Sequence, residues 1–176
     1  EDPYVGQAMA RAKVAGFQDS RLDGADTLAA CAKHYCAYGA AAAGRDYAAT
    51  DVTPRALREL YLPPFEAALD AGVATIMPAF SSIDGIPLSA HRGLLKDYLR
   101  DQLGFDGIVM ADGLAVDRLE DMAGSIPAAG RAALLAGVAL QIDQQPLLCQ
   151  RVLVLQVGVQ QLDAAAPLVC AVKVQW

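Results

Sequence analysis

Short apolar segments alternate with longer segments of helical periodicity along most of this chain. A leading helix over residues 4–17 comes first, and its inward positions are expected to be Val5, Met9, Ala12 and Phe17. The apolar segments then predict four strands, at residues 28–32, 73–79, 108–111 and 138–142. The pattern therefore predicts about four strand–helix units, at a spacing of roughly 30 to 45 residues.

Further helices are expected between these strands. Thr53-Pro54 is typical of a helix start, and Pro63-Pro64 should kink or split that helix. Ser89 is the expected cap of the next helix, whose inward positions are Leu94, Leu95, Tyr98, Leu99 and Leu103. A last helix over residues 127–136 should end at Gly137.

Strands that alternate with helices predict an α/β fold with a parallel sheet and right-handed crossovers. Four strands cannot close an eight-stranded barrel, so two arrangements stay open. One is an open sheet with its site at a topological switch point. The other is part of a (β/α)8 barrel whose remaining strands precede Glu1. The opening Glu1-Asp2-Pro3 has no features of a signal peptide, so the compartment cannot be deduced from it.

Polar residues follow two of the predicted strands. Lys33-His34 comes after the first apolar segment, and Asp112 comes after the third. In a barrel these positions lie at the carboxyl ends of the strands, where chemistry is done. A cation, an imidazole and a carboxylate at one place suit a substrate rich in hydroxyl groups and a reaction that passes through positive charge on carbon. An Asp after a strand also serves as a helix cap or turn residue, and a lone Lys is usually a solvated surface residue.

Composition excludes several classes of function. The chain has 176 residues, of which 55% are hydrophobic and 19% charged, so a folded domain with a real core is expected. The formal net charge of −6 and the lack of a Lys/Arg cluster argue against a nucleic-acid partner. No apolar stretch reaches the roughly 18 residues that a membrane span needs.

The cysteines give no indication of a metal site. Cys31, Cys36, Cys149 and Cys170 have neither CxxC spacing nor the density of a disulfide framework. They are predicted to be small buried hydrophobic residues. No metal and no cofactor is expected.

Several motifs, in order along the chain, resemble glycoside hydrolase family 3, and among its members the bacterial β-glucosidases. They are Ala32-Lys33-His34-Tyr35, Gly44-Arg45-Asp46-Tyr47, LRELYLPPF at residues 57–65 and Gly104-Phe105-Asp106-Gly107. The resemblance implies an incomplete (β/α)8 TIM-barrel-type domain, of which this chain is similar to the later part. It places a partial catalytic barrel at residues 1–143 and a terminal helical segment of the same domain at residues 144–176, partly helical over 162–173.

The resemblance also implies a site. Asp112 aligns with the nucleophile of a retaining mechanism. Lys33 and His34 align with the pair that binds sugar hydroxyls in the first subsite. The remaining substrate-binding positions that it implies are Arg45, Met77 and Phe80.

The function that follows is a retaining glycoside hydrolase of carbohydrate metabolism. It would release terminal β-D-glucosyl residues from β-glucosides or oligosaccharides, with no nucleic-acid or membrane partner. Such enzymes need a second carboxyl about 5 Å from the nucleophile to protonate the leaving oxygen. In the β-glucosidases a second domain usually supplies it, so a missing domain or a homo-oligomer is expected to complete this fragment. The compartment stays unknown, and the resemblance allows the bacterial periplasm or secretion.

An alternative is a catalytically inert remnant that folds and at most binds sugar. Three departures from the family pattern favour it: Ala111 and Gly113 flank Asp112, where Ser and an aromatic residue or His are usual, and Ala139 replaces an Asp. A third class is a lyase or aldolase barrel with a Schiff base on Lys33. It ranks last, because the sequence around Lys33 gives it no support.

Overall fold

The computed structural model describes residues 2–142, 152–154 and 172–174. Its six-stranded sheet has the order β7-β6-β5-β2-β1-β8, and a two-stranded hairpin, β3-β4, stands apart. Within the six-stranded sheet every described pair is parallel except β6–β7. The strands are β1 (Ala30–Tyr35), β2 (Thr75–Pro78), β3 (Ser82–Ile83), β4 (Ile86–Pro87), β5 (Ile108–Ala111), β6 (Leu140–Ile142), β7 (Val152–Val154) and β8 (Val172–Val174).

Helices separate the parallel strands. The α-helices are α1 (Pro3–Gln18), α2 (Pro54–Ala56), α3 (Pro63–Asp70), α4 (Glu120–Ala123) and α5 (Ile126–Ala136). A π-helical turn at Leu57–Tyr61 joins α2 to α3, and a π-helix spans Gly93–Gln102. Short 3-10 turns lie at Tyr38–Ala40, Ala42–Gly44, Leu88–Ala90 and Asp117–Leu119. The α/β prediction of a partial (β/α)8 barrel is confirmed: β1, β2, β5 and β6 are parallel, and among the described residues a helix precedes each of them.

The first strand extends further than the sequence suggested. β1 begins at Ala30 and runs to Tyr35. Lys33 and His34 therefore lie within the strand, directly before its last residue, and do not follow it. The strand stays paired with β2 through Lys33, and the register then shifts between Lys33 and Tyr35. The Lys33–His34 and Tyr35–Cys36 peptide bonds are cis.

The leading helix exists as predicted, and the predicted inward residue Phe17 packs against the core. The other predicted inward positions, Val5, Met9 and Ala12, are exposed, so that part of the prediction is wrong. Val5 and Met9 are about half exposed, whereas Ala10 and Val14 are buried. Small side chains face inward because α1 packs closely on α3: a Cβ added at Gly6 would lie 3.0 Å from Pro64 Cγ. Large apolar residues on that face would hold the two helices apart.

Gln18, the last residue of α1, fastens that helix to the sheet. Its Oε1 accepts from the backbone N–H of Ala30 at 3.1 Å and of Ala74 at 2.9 Å. Its Nε2 donates to the carbonyl of Gly72 at 2.8 Å. One buried amide therefore satisfies backbone groups at the amino ends of both β1 and β2, which the parallel ladders leave open there.

Three of the predicted helix boundaries hold and one does not. The end of the last helix at Gly137 is as predicted. Thr53 Oγ1 accepts from the N–H of Ala56, and the helix is divided at Pro63. Ser89, however, lies in a 3-10 turn, and the N–H of Leu94 donates both to Nδ1 of His91 at 3.3 Å and to the carbonyl of His91 at 3.1 Å. The predicted cap at Ser89 is therefore wrong, and half-buried His91 performs that role. Burial lowers the pKa of His91 below its ordinary value.

The segment 144–176 is described only in part. Where it is described it is strand and not helix: β7 pairs with β6, and β8 pairs with β1. The segment 162–173 was predicted to be partly helical, and its last two residues belong to β8. Its other residues lie outside the described part of the chain, as do Cys149 and Cys170.

The two faces of the sheet have different neighbours. Ala32, Ile76 and Val109 belong to a large apolar core that includes helical residues such as Val14, Phe65 and Leu99. Cys31, Met77 and Met110 form a separate small cluster with Ile108 beside it. We call the face of this small cluster the inner face and the opposite one the outer face. No helix of the described residues is long and apolar enough to cross a membrane.

Candidate active site

The inner face ends in charged residues. Successive side chains of a strand point to opposite faces, so residues two apart share one face. Lys33 is two residues after Cys31, and Asp112 is two residues after Met110. Because β1 and β5 both run parallel to β2, their carboxyl ends lie at one edge of the sheet. Pattern and topology together therefore bring Lys33 and Asp112 to the carboxyl end of the inner face, which we call the mouth.

His34 and Asp112 meet at this mouth. The Nε2 of His34 lies 3.4 Å from Oδ2 of Asp112. The two side chains are 11% and 19% exposed, so both are mostly screened from water and both still reach the surface. Sequence reasoning predicted this proximity, and the structure shows it. An imidazole at this distance orients the carboxylate and stays accessible to a polar ligand.

Asp112 is held from its own turn and from β6. Its Oδ1 accepts from the N–H of Gly113 at 2.8 Å. Gln141, whose backbone pairs with Ala111, accepts from the N–H of Val116 at 2.8 Å and donates to Asp117 at 2.6 Å. These bonds fix the start and the end of the segment that follows β5.

Lys33 lies against sulfur. Its Nζ donates to Sδ of Met77 at 3.4 Å. The pKa of the neighbouring Cys31 thiol is raised, mainly by burial; a hydrogen bond with Thr75 and the charge of Lys33 lower it, and the charge of Asp112 raises it. The charges of Lys33 and Asp112 thus both act on one thiol inside the inner face. Burial raises the pKa of the other described cysteine, Cys36, to about 12, which makes it a poor nucleophile.

The loop after β1 is anchored on the site through Tyr38. The Tyr38 ring lies 5.2 Å from that of His34, between centroids, and its hydroxyl donates to Asp46. Burial, with a further contribution from Asp46, raises the pKa of Tyr38 to about 12, so the hydroxyl stays a donor at neutral pH. Arg45 precedes Asp46 in this loop, and its side chain is exposed.

Phe80 lies two residues beyond β2, in contact with residues from two other loops. Its ring meets that of Tyr47 edge to face at 4.9 Å. The guanidinium of Arg118 lies 4.5 Å from the Tyr47 centroid and 5.1 Å from that of Phe80. We call Tyr47, Phe80 and Arg118 the rim cluster.

The structure thus brings the predicted residues together in three groups: His34 with Asp112, Lys33 with Met77, and Phe80 with the rim cluster. Arg45 remains exposed in its loop. Sequence reasoning missed Tyr38, Tyr47, Arg118 and Gln141. Tyr47 is the last residue of the motif Gly44-Arg45-Asp46-Tyr47, and Arg118 lies six residues after Asp112, but neither position alone indicates contact with Phe80. Among the described residues, no group of three or more His, Cys, Asp and Glu could hold a metal ion.

Comparison with known proteins identifies the class. The model of the glycosyl hydrolase family 3 N terminal domain matches residues 1–171. The chain therefore belongs to glycosyl hydrolase family 3, and the site described above lies in the N-terminal domain of that family.

Individual relatives agree with this assignment. A beta-xylosidase of Formosa agariphila is 42% identical over 125 residues, which are 69% of this chain and 17% of that protein. The periplasmic beta-glucosidase of Salmonella typhimurium is 35% identical over 147 residues, 82% of this chain and 19% of that protein. The structure of a beta-glucosidase from Listeria innocua in complex with glucose aligns with a TM-score of 0.78 at 36% identity, over 82% of this chain and 21% of that one. The chain thus spans about a fifth of the length of these relatives.

Proposed function

We propose that this chain supplies the nucleophile and part of the first sugar subsite of a retaining β-glucosidase, which releases terminal β-D-glucosyl residues from β-glucosides or oligosaccharides. The observation that carries the proposal is the pairing of Asp112 with His34 at the mouth of the inner face. Membership of the family gives this pair its chemical context.

Asp112 is suited to the role of nucleophile. In the first step a carboxylate oxygen of Asp112 bonds to the anomeric carbon while the bond from that carbon to the leaving oxygen breaks. Water then attacks the same carbon and releases both the sugar and the carboxylate. The Gly113 N–H and His34 restrict the rotation of the carboxylate, which favours one orientation toward the sugar. The acid that protonates the leaving oxygen is not assigned to a described residue.

Lys33 and His34 are suited to bind hydroxyl groups. An ammonium has three donors, and the contact with Met77 uses one of them on a weak sulfur acceptor. The other donors of Lys33 are therefore available to the hydroxyls of a sugar. Met77 is buried with Cys31 and Met110, so we propose that it forms the floor beneath the subsite. Arg45 stays a proposed subsite residue on the strength of its motif.

A second candidate is a folded remnant that binds sugar without cleaving it. The observation that favours it is the small size of the residues beside the carboxylate, since Ala111 is a buried alanine and Gly113 has no side chain. Neither one closes the site over Asp112 as a larger side chain would.

Trapping of the intermediate separates the two candidates. The chain would be incubated with a 2-deoxy-2-fluoro-β-glucoside that carries a 2,4-dinitrophenyl leaving group, and then analysed by intact mass and peptide mapping. Dinitrophenolate leaves without an acid, so only the nucleophile and the subsite are tested. We expect one glycosyl adduct, on Asp112. If a chain shown to be folded by circular dichroism forms no adduct, the inert remnant is the better description.

We also propose that a second copy of this chain or a further domain completes the barrel. β7 and β8 form the two edges of the described sheet, and unpaired strand edges favour association with another chain. Light scattering should show self-association that depends on concentration. A single monomeric species at all concentrations would contradict a homo-oligomer.

A further inference from the structure

We infer that the rim cluster of Tyr47, Phe80 and Arg118 binds the leaving-group side of the substrate, next to the reacting sugar. The inference rests on the proposed function and extends it, because it assigns the residues that select what the β-glucosyl unit is attached to. The ligand class is a sugar ring or an aryl group.

The topology places the rim cluster at the mouth of the inner face. Tyr47 lies in the loop after β1, Phe80 follows β2, and Arg118 is in the segment that begins at Asp112 after β5. Because these three strands are parallel neighbours, the loops that leave their carboxyl ends share one edge of the sheet. The cluster and the carboxylate therefore belong to the same opening.

Hydrogen bonds hold the three loops in position. The N–H of Thr50 donates to the carbonyl of Ser82 at 2.8 Å, which ties the loop of Tyr47 to the loop that follows Phe80. Tyr38 connects His34 to Asp46, the residue before Tyr47. Gln141 fixes the segment between Asp112 and Arg118 through Val116 and Asp117. The cluster is thus positioned relative to Asp112 on a rigid frame.

Two members of the rim cluster, Tyr47 and Arg118, are exposed. Tyr47 is 51% exposed, and its φ of 64° lies in the left-handed region that a residue with a large side chain rarely adopts. Such backbone strain tends to persist where the surrounding structure presents a side chain to a ligand.

The chemistry of the cluster fits a flat partner with polar edges. Aromatic rings pack against the apolar face of a pyranose or against an aryl ring. The guanidinium of Arg118 is oriented by the two rings beneath it, and its N–H groups are donors for hydroxyl or carboxylate oxygens at the edge of the ligand. A leaving group with both features would contact all three residues, whereas a small leaving group would contact none.

Two trapping reagents that differ only in the leaving group test this inference. Both carry the 2-deoxy-2-fluoroglucosyl unit: one releases dinitrophenolate, which is aromatic, and the other releases fluoride. Neither needs an acid. The concentration dependence of labelling would be measured by intact mass for the wild-type chain and for Tyr47→Ala, Tyr47→Phe, Arg118→Ala and Arg118→Lys. Circular dichroism would verify that each variant is folded; the wild-type Tyr47 and Arg118 side chains are both exposed.

We expect the variants to separate the two reagents. Tyr47→Ala should raise the half-saturating concentration of the dinitrophenyl reagent about tenfold, and Arg118→Ala should raise it about threefold. Both should leave labelling by the fluoride reagent within about twofold of the wild type. Tyr47→Phe should behave as the wild type, because the ring face is kept, and Arg118→Lys should lie between Arg118→Ala and the wild type.

The remaining outcomes overturn the inference in distinguishable ways. If the variants change neither reagent, or change both equally, the rim cluster is not a leaving-group subsite, although the proposed function stands. If neither reagent labels the wild-type chain, the proposed function fails, and the inference that rests on it fails as well.

Discussion

The outer and inner faces of the sheet are built from alternate residues of the same strands, yet they do different work. On β2 the outer residue Ile76 is fully buried in the large core, whereas its neighbour Met77 lies under Lys33. The outer face is apolar along its length and joins the sheet to the helices. The inner face has a small apolar floor and then Lys33 and Asp112. A period of two residues therefore separates the two faces as far as Lys33. His34 departs from this period, at the point where the register between β1 and β2 shifts, and still meets Asp112.

The largest effect should come from the end of the inner face. Asp112→Asn removes the nucleophile and preserves its shape, so labelling by the dinitrophenyl fluoroglucoside should fall by on the order of 10³-fold or more. The free energy of unfolding in urea should change little. Asp84→Asn is the matched control, since Asp84 is exposed and asparagine tolerates its φ of 51°. Equal labelling of the two variants would mean that Asp112 is not the nucleophile.

On the outer face we expect the opposite result. Ile76→Ala should lower the free energy of unfolding by about 2–5 kcal/mol, because it leaves a cavity beneath the helices. The folded fraction should still be labelled at the wild-type rate. Ile86→Ala, at a site that is 43% exposed, provides the control and should cost far less. A loss of labelling in folded Ile76→Ala would show that the two faces are not separable.

An effect of intermediate size is expected at Gln141, which supports the segment that follows Asp112. Gln141→Ala leaves the N–H of Val116 and the carboxylate of Asp117 without this partner. We expect a loss of about 1–3 kcal/mol in stability and about a tenfold slower labelling of Asp112. Urea unfolding and the labelling rate would be measured on the same samples. Gln141→Glu keeps the acceptor for Val116 but places a carboxylate beside Asp117, so it should restore little. Full labelling in the Gln141→Ala variant would refute a positioning role.

The smallest effect concerns His91, which precedes the helix that follows β2. Burial lowers the pKa of folded His91, so the unfolded chain binds more protons near the ordinary pKa. The contribution of His91 to stability is present above about pH 6.5, the unfolded value, and is lost as the pH falls through the folded pKa. His91→Asn keeps a capping acceptor and removes this titration. Urea unfolding at pH 7.5 and pH 5 should show that the free energy of unfolding falls less for the variant than for the wild type. An equal fall would contradict a contribution of His91 to the pH dependence of stability.

The period of the apolar residues and the parallel order of the strands explain how much of the fold and of the site could be predicted from the sequence. The meeting of His34 with Asp112 follows from two apolar strands that run parallel, because each strand delivers the residues at its end to the same edge. The bounds of β5 agree with the prediction for the same reason: its four residues are all apolar. The end of β1 was placed too early because Lys33 and His34 are polar, although backbone pairing with β2 continues past them.

The failures come from contacts that no local pattern encodes. The inner side of α1 was assigned from its large apolar residues, but close packing on α3 selects Ala10 and leaves Met9 exposed. Tyr47 and Arg118 are far apart in the sequence, and loops have no period that would place one against the other. Their contact depends on where the frame of β1, β2 and β5 directs each loop.

The three hydrogen bonds of Gln18 have a consequence for how such a domain changes over evolutionary time. They join the first helix to the amino ends of β1 and β2, at the edge of the sheet opposite the mouth. Strand alignment is thus secured at the edge opposite the candidate site. Loops at the other edge can then be exchanged or lengthened without misaligning the strands. New substrate specificities can therefore arise on an inherited scaffold.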